Sequence, residues 1–475
     1  MITLCYYDNN YSAGELLMNN KKVISLALVL SIISTNLMPV CYAKSTKTKE
    51  NNKLIKSQVT QYRFDYINTD WWQAFDDEYL TEYIIKAVEN NYDLKIATLR
   101  VEQYRQMSKL QFANELPTIT GGFAPTGLKV PGATNTSGIW AFPLIVNYEA
   151  DIFLKNRDKT KSSKKEWEKS QIEERASYIT VVSAVGSTYF NIIKADKLIS
   201  LQKDIIQSRK QIYELMSERN KAGLTSTADV VRANKAYVAA QADLNDLEKS
   251  RATLLNSLAV LIGESPANAD KLARKAYEDS YLVKIPESIP SEIIDQRPDY
   301  LAAEKSLEKA GIDVRVAKKE FLPKINLTGL LAFGSSAFNS AFNWSNVFGV
   351  LSAGIMADLF TGGRKITNLK LVKNQYEQIL HNYYNTNLKA IQEVNDSLVA
   401  LKQDDQKYKT NLKVYKMEQK DYSYSTIKYK EGLISYLDLL QRKENLLTLN
   451  KLVVSNKLDC NIDYIGLYKA TGAKL

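Results

Sequence analysis

Few residues in this sequence are of types that do chemistry, and those that recur are carboxylates. Asp229 and Asp438 each stand six positions after a glycine, Gly223 and Gly432, and the two glycines lie about 209 positions apart. Each glycine supplies the permissive backbone that a tight chain reversal needs. Ser435 follows as an N-cap whose hydroxyl can meet the free amides of a returning helix, and Ser226 holds the same place in the first copy. An acid in the first turn of a helix is favoured by the helix dipole. By themselves, then, the two aspartates read equally as caps or as a charged constriction. Tyr429, Gln441 and Arg442 flank the second turn.

Catalytic chemistry is not expected. The one histidine, His381, falls inside a helical stretch and reads as a surface residue. No Cys/His cluster has zinc spacing, no nucleophile motif is present, and no glycine loop follows a strand to cradle phosphate. The reading is a non-enzyme with no cofactor and no metal. The net charge of +10 is spread along 475 residues and reads as a solvated lysine-rich surface, with no nucleic-acid partner.

The N-terminus carries a targeting signal over residues 1–43. Asn19-Asn20-Lys21-Lys22 precedes an apolar run from Val23 to Ile33, and Cys41-Tyr42-Ala43 offers small side chains for a signal peptidase. Met18 fits the true start better than Met1. Cys41 is a candidate for lipidation, although Met38-Pro39-Val40 matches the preferred small-residue box poorly, so Cys41 is either acylated or removed with the leader. Cys460 is then the one certain cysteine, and no internal disulfide is expected. No run of eighteen apolar residues follows the leader, so a membrane crossing would have to use strands.

The chain is a tandem duplication. Asp93 and Asp299 are about 206 apart, as are Pro117 and Pro323; Ala150-Asp151-Ile152-Phe153 answers Ala357-Asp358-Leu359-Phe360 at about 207, and Arg157 answers Arg364. The boundaries are an N-terminal segment 44–90, a first repeat 91–264, a linker 265–296 and a second repeat 297–475. Each repeat should hold a helix of about twenty-five residues, two strands and a long helical hairpin. Trp140, Phe142, Leu144, Val146 and Tyr148 alternate with smaller or polar residues, as do Ile325, Leu327, Gly329, Leu331 and Phe333. Pro143 counts against a central place for Trp140–Asp151. From Asp158 to Gly223, and again from Ile366 to Gly432, helical sequence runs about 65 residues, on the order of 100 Å. Stripes such as Val181, Ala184, Val185 and Thr188, or Leu388, Ile391, Val394 and Leu398, are set for side-by-side packing. Small residues crowd the first return helix.

Two membrane-length strands per repeat give four in the chain, too few to close a barrel, and open edges in lipid cost several kcal/mol per unpaired group. Copies must share one barrel, and three copies give twelve strands. The fold class expected is a mixed α and β membrane protein: four transmembrane β-strands and long α-helical hairpins per chain, trimerising into a 12-stranded barrel continuous with an α-helical barrel. Such an object is a conduit. The reading from another class is an exported structural coiled-coil protein with no channel.

Trp71-Trp72-Gln73-Ala74-Phe75-Asp76-Asp77, Asn91-Tyr92-Asp93-Leu94, Ile289-Pro290-Ser291-Glu292 with Arg297-Pro298-Asp299, Tyr429-Lys430-Glu431-Gly432-Leu433 and Leu467-Tyr468-Lys469-Ala470-Thr471-Gly472 occur in order over nearly the whole mature chain. In these the sequence resembles the TolC/NodT-type outer-membrane factors of tripartite efflux systems. The resemblance implies a homotrimer in outer-membrane lipid, with a helical tunnel in the periplasm and an equatorial region that includes 44–90 and 265–296. It implies a periplasmic adaptor and an inner-membrane pump of RND type as partners, and export of drugs or other small toxic compounds; the runner-up is a duct for type I protein secretion. Asp229 and Asp438 match positions where members place pore carboxylates, and Tyr429 matches a tyrosine that links tip helices. Six carboxylates near a threefold axis would raise one another's pKa and attract cations. Ile434 and Gln441 depart from members that carry arginine and aspartate there, so the closing network would be built differently, with Arg442 a candidate.

Overall fold

Helix lengths recur in pairs. After α1 (Thr69–Gln73) and α2 (Glu78–Asn90), the computed structural model shows α3 (Tyr92–Ala113, 22 residues), α4 (Lys155–Lys221, 67 residues) and α5 (Thr227–Leu261, 35 residues). Following the short α6 (Glu292–Asp295), the same lengths return in α7 (Pro298–Lys319, 22 residues), α8 (Arg364–Lys430, 67 residues) and α9 (Tyr436–Ala470, 35 residues). The structure describes residues 64–128, 137–277, 285–286 and 288–474. The leader, Met18 and Cys41 lie outside them.

The strands form one antiparallel sheet. β1 (Thr118–Gly121) and β2 (Ala124–Leu128) both pair with β3 (Ser137–Ala150), which pairs with β4 (Lys324–Ser335), which pairs with β5 (Val347–Met356). β1 and β2 together make one interrupted ribbon, so each repeat contributes two. β3 and β4 join the repeats from Trp140↔Ser335 to Ala150↔Ile325. Among the described residues, both outer ribbons end in unpaired edges.

Pro143 overturns its sequence-based expectation, because it sits in the central β3 opposite Ala332. Its carbonyl accepts from Gly122 N at 3.0 Å. In a strand the amide and carbonyl of one residue point the same way, so the missing N–H faces Gly122 and Phe123, where β1 breaks from β2. The interruption in the neighbour falls where the proline has no donor to offer.

The core lies where the N-terminal segment packs into the helices. Trp71 stacks on Tyr468 and Tyr464, ring centroids 4.3 and 4.9 Å apart, and Phe75 meets Phe190 at 5.2 Å. Trp72 lies against Gly186, where an added Cβ would come within 2.6 Å of the indole. That glycine is thereby required inside α4 by close approach. Asp77 caps α2 by accepting from Leu80 N at 3.1 Å, and the Tyr189 hydroxyl donates to it at 2.8 Å.

α4 contains an eighteen-residue window with mean hydropathy of 1.2, apolar enough for a membrane span, yet 61% of that window is buried inside the protein. It packs against α2, α3, α5, α7 and α9 and serves as the core helix. The two apolar stripes fare differently. Val181 and Val185 of α4 are buried, whereas on α8 only Val394 is, and Leu388 and Ile391 are exposed in the single chain. Of the alanines on α5, Ala240 is buried, and its carbonyl accepts from Gln202 Nε2 at 2.8 Å. Ala228, Ala236, Ala239 and Ala242 face outward.

Two of the motifs, at the start of α7 and the end of α9, meet in space. Arg297, buried at the start of α7, forks onto Asp299 at 3.0 and 2.6 Å, reaches Glu393 at 2.6 Å and donates to the Ala470 carbonyl at the end of α9. Gly472 (φ +64°) turns the chain against it, with room for a Cβ only 3.1 Å from Pro298. In the first repeat, Asn91 Nδ2 donates to the Leu261 carbonyl at 2.8 Å, and Gly263 (φ +76°) presses on the Asn90 backbone. Each return helix is thus clamped to the start of its own repeat, neutrally in one and ionically in the other.

Candidate functional site

Both hairpins reverse by one mechanism. At the end of α4, Gly223 (φ +74°) lets Leu224 N donate to Arg219 O at 2.8 Å, and at the end of α8, Gly432 (φ +75°) lets Leu433 N donate to Lys428 O at 2.8 Å. Nothing lies within 4 Å of a Cβ built on either glycine, so the left-handed backbone, and not crowding, demands the residue. Three residues later each return helix begins with a reciprocal cap. Asp229 N donates to Ser226 Oγ at 3.2 Å, while Ser226 N and Oγ donate to Asp229 Oδ2 at 3.3 and 2.6 Å. Asp438 N donates to Ser435 Oγ at 3.1 Å, and Ser435 N and Oγ return bonds to Asp438 Oδ2 at 3.1 and 2.7 Å.

The two tips differ in what surrounds these boxes. Asp229 also accepts from Thr225 Oγ1 at 3.2 Å and pairs with Arg232 through its other oxygen, and Asn220 Nδ2 ties the turn by donating to Thr225 O at 2.8 Å. In the second tip, Arg442 reaches across the hairpin to Asp421 on α8. Tyr429 and Tyr436 set their rings 5.5 Å apart across the reversal. Leu224 and Leu433 are exposed at the two apices, and Gln441 faces solvent.

The electrostatics of the single chain run opposite to those of a carboxylate ring. The Ser226 hydroxyl, then Thr225, the Ser226 amide and Arg232, hold the Asp229 carboxyl below its usual range. The Ser435 hydroxyl and amide, then Arg442 and Arg219, do the same for Asp438. Each carboxylate is therefore ionised at neutral pH, with one oxygen committed to its cap. No hydrogen bond or ion pair among the described residues joins Asp229 to Asp438. Any ring must come from separate chains.

Sequence reasoning missed Arg232, Asp421 and Tyr436. Arg232 stands one turn beyond Asp229, and Asp421 and Arg442 lie 11 and 10 residues on either side of Gly432. Folding the sequence about the glycine would have paired them. His381 is exposed on α8. Burial pushes the Cys460 thiol up to about 12, leaving it protonated and unreactive. Among the described residues no three His, Cys, Asp or Glu side chains are grouped to hold a metal.

The family described as "Outer membrane efflux protein" matches residues 84–264 and 289–473. The chain is 27% identical over 409 residues to the probable efflux pump outer membrane protein TtgC of Pseudomonas putida, covering 85% of this chain and 84% of TtgC. It is 24% identical over 466 residues to the cation efflux system protein CusC of Escherichia coli, covering 95% and 99%. The crystal structure of the Campylobacter jejuni CmeC outer membrane channel superposes with a TM-score of 0.79 at 25% identity, covering 86% of this chain and 88% of CmeC.

Proposed function

This chain belongs to the outer membrane efflux protein family, and from that premise we propose that its two hairpin tips form the gate of a channel serving an adaptor and an RND-type pump. The family assignment carries the fold class: four transmembrane strands and two long hairpins per chain, three chains completing a twelve-stranded barrel that continues into a periplasmic helical barrel. The protein is the outer-membrane channel component of an efflux system. One observation makes the conduit physically necessary. A sheet with unpaired edges on both sides is fused to helices of 67 residues, and such a sheet is stable in lipid only when copies close it.

The gate reading rests on the tips. Threefold symmetry brings three copies of Asp229 and three of Asp438 to the narrow end of the tunnel. Their capping boxes hold the carboxylates ionised and fixed on helix starts, so the ring they make is permanently charged and poised for cations. Tyr429, its ring tilted against that of Tyr436, packs the hairpin beside that ring. Arg442, spent on Asp421 within its own hairpin, braces the tip. Relatives named for efflux pumps and for cation efflux occur at similar identity, which fits a duct whose cargo, small toxic compounds, is chosen by the pump.

The test is single-channel conductance in planar bilayers. Asp229→Asn with Asp438→Asn keeps side-chain shape and removes charge. It should raise conductance at least twofold and weaken block by divalent cations. Unaltered conductance and block would remove the gate while leaving the channel.

A further inference from the structure

We propose that the loop joining β4 to β5 is an aromatic hook that lies on the outside of the barrel and seats in the headgroup region of the outer leaflet. This rests on the family fold, in which the sheet is a stave of a membrane barrel.

The two faces of the sheet have different chemistry. One carries Trp140, Phe142, Leu144, Val146 and Tyr148 on β3, and the register places Phe333, Leu331, Gly329 and Leu327 of β4 beside them. The other is mixed: Asn147 and Glu149, with Thr328 and Asn326 opposite and Ser352 on β5, make its lower part polar, while Ile145, Leu330, Val350 and Phe348 lie nearer the loop. Lipid takes the first face and the lumen takes the second.

The loop folds back onto the lipid face. Phe338 meets Trp140 with centroids 5.5 Å apart, and Phe342 meets Phe142 at 4.3 Å and Phe333 at 6.1 Å. Trp344 lies tilted against Phe333, centroids 5.8 Å apart, and is 82% exposed. Had the loop turned into the lumen, these rings could not touch that face. Its shape is fixed from within. Ser335 and Ser340 hydroxyls lie 2.7 Å apart, Asn346 Nδ2 donates to Ser340 O at 2.8 Å, and two 3-10 turns (Phe338–Ser340 and Trp344–Asn346) take up the slack. Aromatic bodies beside serine and asparagine make a surface that is apolar on one side and wet on the other, the character of the headgroup layer.

Charge supports the placement. From Ile325 to Ala357 there is not one charged residue, loop included. A loop projecting into water has no reason to avoid charge, whereas one lying against lipid does. The length fits as well. From Trp140 down the same face to Tyr148 is roughly 26 Å along the strand at about 3.3 Å per residue, or about 20 Å of height at the usual barrel tilt, most of an apolar band.

The experiment reconstitutes the full-length channel in phosphatidylcholine vesicles with and without brominated acyl chains. The difference in fluorescence between W140F and W140F/W344F isolates Trp344. Bromolipid should quench that difference at least twofold, while external iodide should leave most of it. Quenching by iodide with none by bromolipid would overturn the hook. Conductance recorded on the same preparation separates the two readings, since a conducting channel whose Trp344 ignores bromolipid disposes of the hook alone.

Discussion

The two 67-residue helices are copies in length and opposites in environment. Of α4, 22 residues are buried inside the chain; of α8, only Ala390, Val394, Leu401 and Ser425 are. Duplication preserved the turns, the caps and the lengths, but α8 outside its own hairpin meets mainly α7, whereas one copy, α4, takes α2, α3, α7 and α9. That copy became the core helix. The other kept its apolar surface uncovered, with Leu388, Val399 and Met417 facing outward, and such a face is what a neighbouring chain would cover. One long helix anchors the subunit core together with the return helix of the other repeat, and the second long helix keeps a face open for assembly.

The largest effect that tests this contrast is at Gly186. Gly186→Val drives a side chain into the Trp72 ring and should cost on the order of 1–3 kcal/mol. Asn395, its counterpart on α8, is exposed, and Asn395→Val should leave the thermal midpoint nearly unchanged. Equal losses would mean that the helices are not so differently employed.

Next come the clamps. Arg297→Met strands Asp299, Glu393 and the Ala470 carbonyl, and should cost about 2 kcal/mol once the exposure of both acids is discounted. Asn91→Ala should cost about 1 kcal/mol. Burial raises the Asp299 carboxyl, but hydrogen bonds and charge from Arg297 outweigh it and leave it below its ordinary value. A lowered carboxyl contributes stability above its unfolded pKa and loses it as pH falls through the folded one. The gap between wild type and Arg297→Met should therefore narrow in acid unfolding below the usual carboxylate range.

A smaller effect of opposite sign lies in the second hairpin. Burial, then the hydrogen bond and charge of Asp404, push Asp463 up to about 7, whereas the first repeat has Leu254 and Ala195 at the equivalent places. A raised carboxyl destabilises the fold above its folded pKa, and that cost is relieved as pH falls. Asp463→Asn should raise the thermal midpoint at pH 8, with the gain shrinking as pH falls below about 7 and gone only below the ordinary carboxylate value, at about pH 4.

The smallest effect separates the tips. Arg442→Ala frees α9 from α8, so protease nicking near Gly432 should rise by severalfold. Arg232→Ala, which loses only a contact one turn away, should change nicking near Gly223 little. Both pairs are exposed, and about 0.5 kcal/mol is all either can supply.

Much of this was legible in the sequence because it is local. Gly223 and Gly432, their serines and the alternation along β3 and β4 each follow from neighbouring residues. The helix lengths follow from where proline and glycine are absent. What could not be read depends on partners distant in the chain. Pro143 is tolerated only because β1 breaks beside it, and the break is invisible from β3. Leu388 and Val181 look alike as stripe residues, yet packing from elements distant in the chain decides which is buried. Arg297 and Gly472 were visible as motifs, and only the fold brings them together.

The pairing of β3 with β4 across the duplication has a consequence in time. Residues 151–323 separate the two strands, and at about 5–20 residues per second a ribosome needs roughly 10–35 s to make them. Throughout that interval the first hairpin has no partner for its inner edge. A chain in this state exposes an unpaired apolar edge, the kind that invites aggregation, until the second hairpin is made.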